Sequence, residues 1–180
     1  MTELQDILIQ SDEDNMKNAI ETFKRTNNLK EAITQYCHTL KDKYNNKEID
    51  IIIMGVHQCR QKIKNFVDEL KNGKLDLADI TTGIEAVGAI YECYSVSTGY
   101  VQNLYRKSKL PKPQRQEKKR AVLNTIIYLA ISFEAPDPYD DLLKKIWKNK
   151  GESILNNLMV VKNWFKESLP GCVRKLCLCF

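Results

Sequence analysis

The sequence predicts an all-α fold, a single-domain helical bundle of about seven helices with a central glycine-containing helix at about 77–107. Three observations predict it. Apolar residues recur with a helical period almost from end to end, and the turn-forming residues fall between those runs. With 43% apolar and 28% charged residues the composition is that of a folded protein rather than a disordered one. At 180 residues the chain has the length of one domain, and it carries no internal repeat and no glycine-rich βαβ unit. The bundle is expected over 1–169, and a cysteine-rich tail over 170–180.

The first helix is expected to open at a capping box, Ser11 to Asp14, and to bury Met16, Ala19, Ile20 and Phe23 before a pause at Asn27-Asn28. The second repeats the pattern at Leu29, Ala32, Ile33, Tyr36, Cys37, Leu40 and Tyr44 and stops at Asn45-Asn46. The third holds its period through Ile49, Ile52, Ile53, Val56, Cys59, Ile63, Phe66, Val67 and Leu70, with Gly73 as its C-terminal cap. Ile51 to Ile53 alone would suit a strand, and the period on both sides overrides that local preference. Asp76 or Asp79 caps the fourth, in which Ile80, Ile84, Val87, Tyr91, Tyr94, Val101, Leu104 and Tyr105 recur as core positions. Ala121 to Phe133 is apolar almost all round, as in a buried helix. Asp137-Pro138 starts a short helix carrying Leu142, Leu143, Ile146 and Trp147, which Gly151 ends. Ser153 opens the last helix, with Ile154, Leu155, Leu158, Met159, Val161, Trp164 and Phe165, before Pro170-Gly171.

Gly83, Gly88 and Gly99 lie inside the fourth helical pattern. Each costs about 1 kcal/mol relative to Ala, a cost that close approach of neighbouring helices would offset. The stretch from Ile80 to Val101 would reach about 33 Å, enough for a bilayer core of about 30 Å. Glu85 and Glu92 fall within it, and an acid there costs roughly 2.5 to 3.5 kcal/mol. Ala121 to Phe133 reaches only about 20 Å. Both stretches therefore read as core helices.

The net charge of +5 is not spread along the chain. Arg106, Lys107, Lys109, Lys112, Arg115, Lys118, Lys119 and Arg120 face one acid, Glu117, so 106–120 carries +7 and the other 165 residues carry −2. Such local density points to an anionic partner, a membrane surface or phosphate groups. Pro111 and Pro113 stop a single helix from running through, so 106–120 is expected to be a connector. Nucleic acid is disfavoured, because base stacking wants interleaved aromatics and none occurs between Tyr105 and Tyr128. A basic cluster on either side of the prolines also fits a nuclear-import signal, and a plain solvated loop is the bland alternative.

No Walker loop, GxSxG elbow, HExxH pair or dinucleotide fingerprint occurs. Cys37-His38 and His57-Gln58-Cys59 lack zinc-ligand spacing, so Cys37, Cys59 and Cys93 read as small core residues. Glu85 and Glu92 share one side of a helix, where paired carboxylates can serve acid–base work and a solvated stripe explains them equally well. The expectation is a non-enzyme without metal or cofactor. The start of the chain shows no basic patch followed by an apolar run, and the six cysteines form no disulfide framework, which together point to a reducing, cytoplasmic setting.

The last four residues, Cys177-Leu178-Cys179-Phe180, resemble the CaaX box of prenylated proteins. The resemblance implies a lipid thioether on Cys177, a geranylgeranyl group from Phe180 in the last position, removal of Leu178, Cys179 and Phe180, and Cys172 open to palmitoylation. A single lipid chain binds marginally, and stable anchoring takes a second chain or a basic patch, here Arg174, Lys175 and 106–120. The expected function is a peripheral membrane helical bundle that contacts an anionic membrane surface and an unidentified protein partner. Two other readings stand beside it: a membrane-inserting or pore-forming bundle, and a soluble protein-interaction domain whose cysteine tail is incidental.

Overall fold

The computed structural model describes residues 3–39, 44–76, 79–137, 139–149 and 152–168, and their side chains apart from those of 3–13, 165 and 168. Among these residues the chain forms seven α-helices and no strand, the all-α class that the apolar period predicts. They are α1 (Glu3–Thr26), α2 (Leu29–Thr39), α3 (Asn46–Lys71), α4 (Ile80–Tyr105), α5 (Lys112–Glu134), α6 (Tyr139–Lys148) and α7 (Ile154–Ser168). Two compact units result, each assembled from segments remote in sequence. Unit 1 takes Met1–Gln58 with Val96–Leu129, and unit 2 takes Cys59–Ser95 with Ala130–Phe180, over their described residues.

The helix ends follow local chemistry. Asn28 accepts from the Glu31 backbone N–H at 3.1 Å and caps α2. Asn45 and Glu48 form a reciprocal capping box for α3, at 3.1 and 2.8 Å. Gly73, at φ 68°, ends α3 as expected, with Lys74 N–H bonded back to the Glu69 carbonyl at 3.0 Å. Asp79 rather than Asp76 caps α4, through the Thr81 N–H at 3.1 Å, and Ser153 caps α7 through the Asn156 N–H at 3.3 Å.

Three boundaries differ from expectation. Helix α1 begins at Glu3, so Ser11 and Asp14 lie inside it. Neither Gly nor Pro interrupts the chain between Glu3 and Ser11, and a formed helix gains a hydrogen bond per added residue, so the capping signal does not stop it. Helix α2 ends at Thr39, where the Thr39 hydroxyl donates to the Tyr36 carbonyl at 2.6 Å. Tyr44 therefore does not continue its apolar face, and instead shares a 3.1 Å hydroxyl contact with Tyr105. Helix α5 begins at Lys112, so the break expected over 106–120 is confined to 106–111. The Pro111 carbonyl accepts the Arg115 N–H at 2.9 Å, and Pro113 sits in the first turn, where its missing N–H costs nothing. Pro138, Gly151, Pro170 and Gly171 lie outside the described residues.

In unit 1, α1 and α2 pack together with Thr22 and Gln35 bonded at 2.6 Å. Ile33, Tyr36, Ile49, Ile52, Val56, Ile126 and Ile127 are buried, and the Tyr36 hydroxyl meets that of Thr125 at 3.0 Å within this core. A Cβ on Gly55 would stand 2.9 Å from the Ile126 side chain, so the glycine makes room for that side chain in the core.

In unit 2, Cys59, Ile63, Val67, Ala86, Ile90, Cys93, Ile131, Leu142, Leu143, Ile146 and Val161 are buried. Of the core positions expected along α4, Val87, Val101 and Tyr105 are buried, but four others are exposed. Ile80 and Ile84 are 72% and 51% exposed and Tyr91 and Tyr94 are each 42% exposed, whereas Ala86, Ile90 and Cys93 are sealed. Helix α4 is apolar on more than one side, and its neighbours take the side with the smaller residues, which admits the closer approach. Gly83 does support such an approach, since its Cβ would meet Leu158 at 2.8 Å, but Gly88 and Gly99 face open space.

Candidate anion-binding surface

The basic segment lies wholly in unit 1 and is built on the end of one helix and the beginning of another. At the end of α4, Arg106 N–H bonds the Asn103 carbonyl at 3.3 Å and Ser108 N–H the Tyr105 carbonyl at 3.1 Å. The Ser108 hydroxyl then accepts the Leu110 N–H at 3.2 Å, which turns the chain towards α5. Tyr105, just before the segment, is buried and fixes its start.

Arg106, Lys107, Lys109, Lys112 and Arg120 are exposed, and Arg115, Lys118 and Lys119 are half-buried. Among the described residues, none of Arg106, Lys107, Lys109, Lys112, Arg115, Lys119 and Arg120 reaches a carboxylate within ion-pair distance. The break brings these cations onto a turn and the first turns of α5, where Lys112, Arg115 and Lys119 repeat at i, i+3 and i+7 and share a side. Below them the same helix becomes core, with Val122, Leu123, Ile126 and Ile127 buried.

The start of α5 adds to this field. A helix N-terminus carries a partial positive charge that acids in the first turn normally offset. Glu31 in α2, Glu48 in α3 and Asp140 with Asp141 in α6 do so, whereas the first turn of α5, like those of α4 and α7, holds no acid. The arrangement sets cations on a short arc, seven of them without a carboxylate partner among the described residues, over a helix start of the same sign.

The remaining candidates fall elsewhere. Burial pushes the Cys37 thiol up to about 12, and the Cys93 thiol is raised by its hydrogen bond to Cys59 and by burial. Cys59 and Cys93 each direct the thiol to the other's carbonyl, at 3.5 and 3.7 Å. The Cys37 and Cys93 thiols therefore stay protonated at neutral pH and are poor ligands and nucleophiles. His38 and His57 are exposed beside buried Cys37 and Cys59, and no group of three potential metal ligands occurs among the described residues. Glu92 pairs with Lys62 and Glu85 is exposed. Arg174, Lys175, Cys172 and Cys177 lie outside the described residues.

Fold and surface together define an all-α protein with a dense cationic segment, seven of whose cations have no carboxylate partner among the described residues. No protein-family model, curated protein or solved structure matches the chain.

Proposed function

We propose that this chain is a peripheral membrane protein, a helical bundle that meets an anionic lipid surface through the cations of 106–120 and acts there through contacts with a protein partner. The observation that carries the reading is the set of seven cations in that segment without a carboxylate partner among the described residues. Each Lys or Arg near anionic headgroups contributes about 1 kcal/mol, so a few engaged together suffice for binding. Lipid is favoured over nucleic acid because no aromatic residue lies within 106–120 and the adjacent Tyr105 is buried, leaving nothing there for bases to stack on. No helix among the described residues is long and apolar enough to cross a membrane, and surface attraction requires none.

With Phe180 as the carboxy terminus, the Cys177-Leu178-Cys179-Phe180 motif adds a lipid anchor on Cys177, and Cys172 a second acylation site, with Arg174 and Lys175 extending the cationic set. Charge and one lipid chain then supply the two signals that stable anchoring needs.

Sedimentation with phosphatidylcholine vesicles, with and without phosphatidylserine, tests the charge component. The protein is expected to bind the anionic vesicles, and Lys107→Glu, Lys109→Glu and Lys112→Glu together are expected to weaken binding at least about a hundredfold. Equal binding by the reversed variant would overturn the reading. The anchor has its own check in the mass of Cys177 from cells, expected to carry a prenyl group that Cys177→Ser abolishes; an unmodified Phe180 terminus in soluble material would remove it.

A further inference from the structure

Helix α7 presents two unlike faces. Val161 and Trp164 are buried, and so is Asn157, whose amide nitrogen donates to the Asn149 carbonyl at 3.4 Å. On the outward side Leu155 is 70% exposed and Met159 50% exposed, and Lys162 and Lys166 are exposed beyond them. Leu155, Met159, Lys162 and Lys166 stand at i, i+4, i+7 and i+11, which places all four within about 60° of one another around a helix of 3.6 residues per turn. The acids nearest in sequence are off this line. Glu167 is turned about 100° from Lys166 and lies 3.9 Å from Lys145, and Glu152 precedes the helix and takes the Asn156 side-chain amide at 2.7 Å. Lys162 and Lys166 have no carboxylate partner among the described residues.

We infer that this stripe of α7 is a second lipid-contacting face, with Leu155 and Met159 entering the headgroup–acyl boundary and Lys162 and Lys166 reaching the lipid phosphates. The inference rests on the peripheral-membrane reading and adds to it a surface outside the 106–120 segment. The chemistry selects lipid over a protein groove. Two apolar anchors continued by two unpaired cations on one narrow line match the layering of a bilayer surface, where long lysine side chains keep their charge at the phosphates while their stems lie along apolar material. The position of α7 in the chain agrees with this. The helix ends at Ser168, nine residues before Cys177, and nine residues span at most about 32 Å, so a lipid on Cys177 would hold α7 within that distance of the bilayer.

The two surfaces respond differently to salt. Coulombic attraction by 106–120 fades as the Debye length falls to about 3 Å at 1 M, whereas burial of Leu155 and Met159 persists. The test is sedimentation of the full chain with phosphatidylserine-containing vesicles at low and at high salt. Leu155→Ser with Met159→Ser, both exposed and outside the core, is expected to lower high-salt partitioning at least about tenfold, with the far- and near-ultraviolet circular dichroism of the protein unchanged. Asn156→Ser with Asn163→Ser, on the exposed flank of the same helix, is expected to leave it unchanged. Equal high-salt partitioning of the protein and the Leu155/Met159 variant would overturn the inference. So would loss of a dimer, seen by sedimentation equilibrium, with vesicle binding intact, since the stripe would then serve a second copy. Failure of the 106–120 reading is distinct: it shows as low-salt binding indifferent to Lys107→Glu, Lys109→Glu and Lys112→Glu. No vesicle binding under either condition would overturn both.

Discussion

In unit 2, Arg60 lies against Glu134 and 5.8 Å over the ring of Phe133, and Lys144 reaches Asp140 at 2.7 Å with both side chains only 19% exposed. In unit 1, Arg106, Lys107, Lys109 and Lys112 project from a turn and a helix start with no carboxylate partner among the described residues. Two ion pairs of unit 1, Lys17–Asp14 and Lys30–Asp50, join side chains that are more than half exposed. A cation held against its counter-ion in partly buried surroundings is part of the fold, because removing it leaves a desolvated carboxylate. A cation facing water contributes little to stability, and its charge stays available to something else. The difference separates charge that the fold uses from charge that the fold leaves to solvent.

The largest expected effect that sharpens this contrast is at Arg60. Its side chain is 21% exposed and that of Glu134 16%, so Arg60→Ala strands an acid that water reaches poorly and also removes the guanidinium from Phe133. A loss of about 2–3 kcal/mol is expected in urea unfolding, below the full cost of a sealed pair because some water remains. Arg115→Ala is expected to change stability by less than about 0.5 kcal/mol. Equal losses at the two positions would erase the distinction.

A smaller effect tests the other partly buried pair through pH. Desolvation raises the Asp140 carboxyl above its ordinary 3.8, against the pull of Lys144, and one of its oxygens is buried with no hydrogen-bond partner among the described residues. A raised acid favours the protonated folded state. Its contribution is therefore greatest below pH 3.8 and is lost as pH rises through the folded value. In urea titrations from acid to neutral pH, the stability of the protein relative to Asp140→Asn is expected to fall as the pH rises past 3.8 and then level off. A rising difference would mean that Lys144 dominates over burial.

Much of the architecture was legible because helical period and caps are local. Gly73 and Ser153 end and begin helices as their chemistry predicts, and most of Val122 to Ile131 is core. The face that α4 buries was legible only in part, at Val87, Val101 and Tyr105, since a helix apolar on several sides leaves the choice to its neighbours, and the glycine that meets one, Gly83, reads in sequence like Gly88 and Gly99, which meet none. The cationic segment was visible from charge density alone, but which of its cations meet a carboxylate among the described residues is a fact of tertiary placement. The α7 stripe was missed because Leu155 and Met159 fit an amphipathic core pattern; Lys162 and Lys166 at i+7 and i+11 were the signal that the pattern had an outward side.

The smallest expected effect asks whether the unpaired cations act against the fold they stand on. Lys112 is the first residue of α5 and Arg115 the fourth, both on the positive end of the helix dipole, with no acid in that turn. A charge there is worth about 0.3–1 kcal/mol, favourable for an acid and unfavourable for a base. Lys112→Gln is therefore expected to raise stability by a few tenths of a kcal/mol and Lys112→Asp by about 0.5–1 kcal/mol, while both weaken binding to phosphatidylserine vesicles. The opposite signs are the informative result. A side chain selected for the fold alone would not oppose its own helix, whereas one that meets lipid phosphate is relieved of that opposition when bound. Thermal unfolding of the three proteins with and without vesicles measures both terms. If Lys112→Asp unfolds at a lower temperature than the protein itself in the absence of lipid, then Lys112 supports α5, and the separation of charge that the fold uses from charge that it leaves to solvent fails where it is most finely drawn.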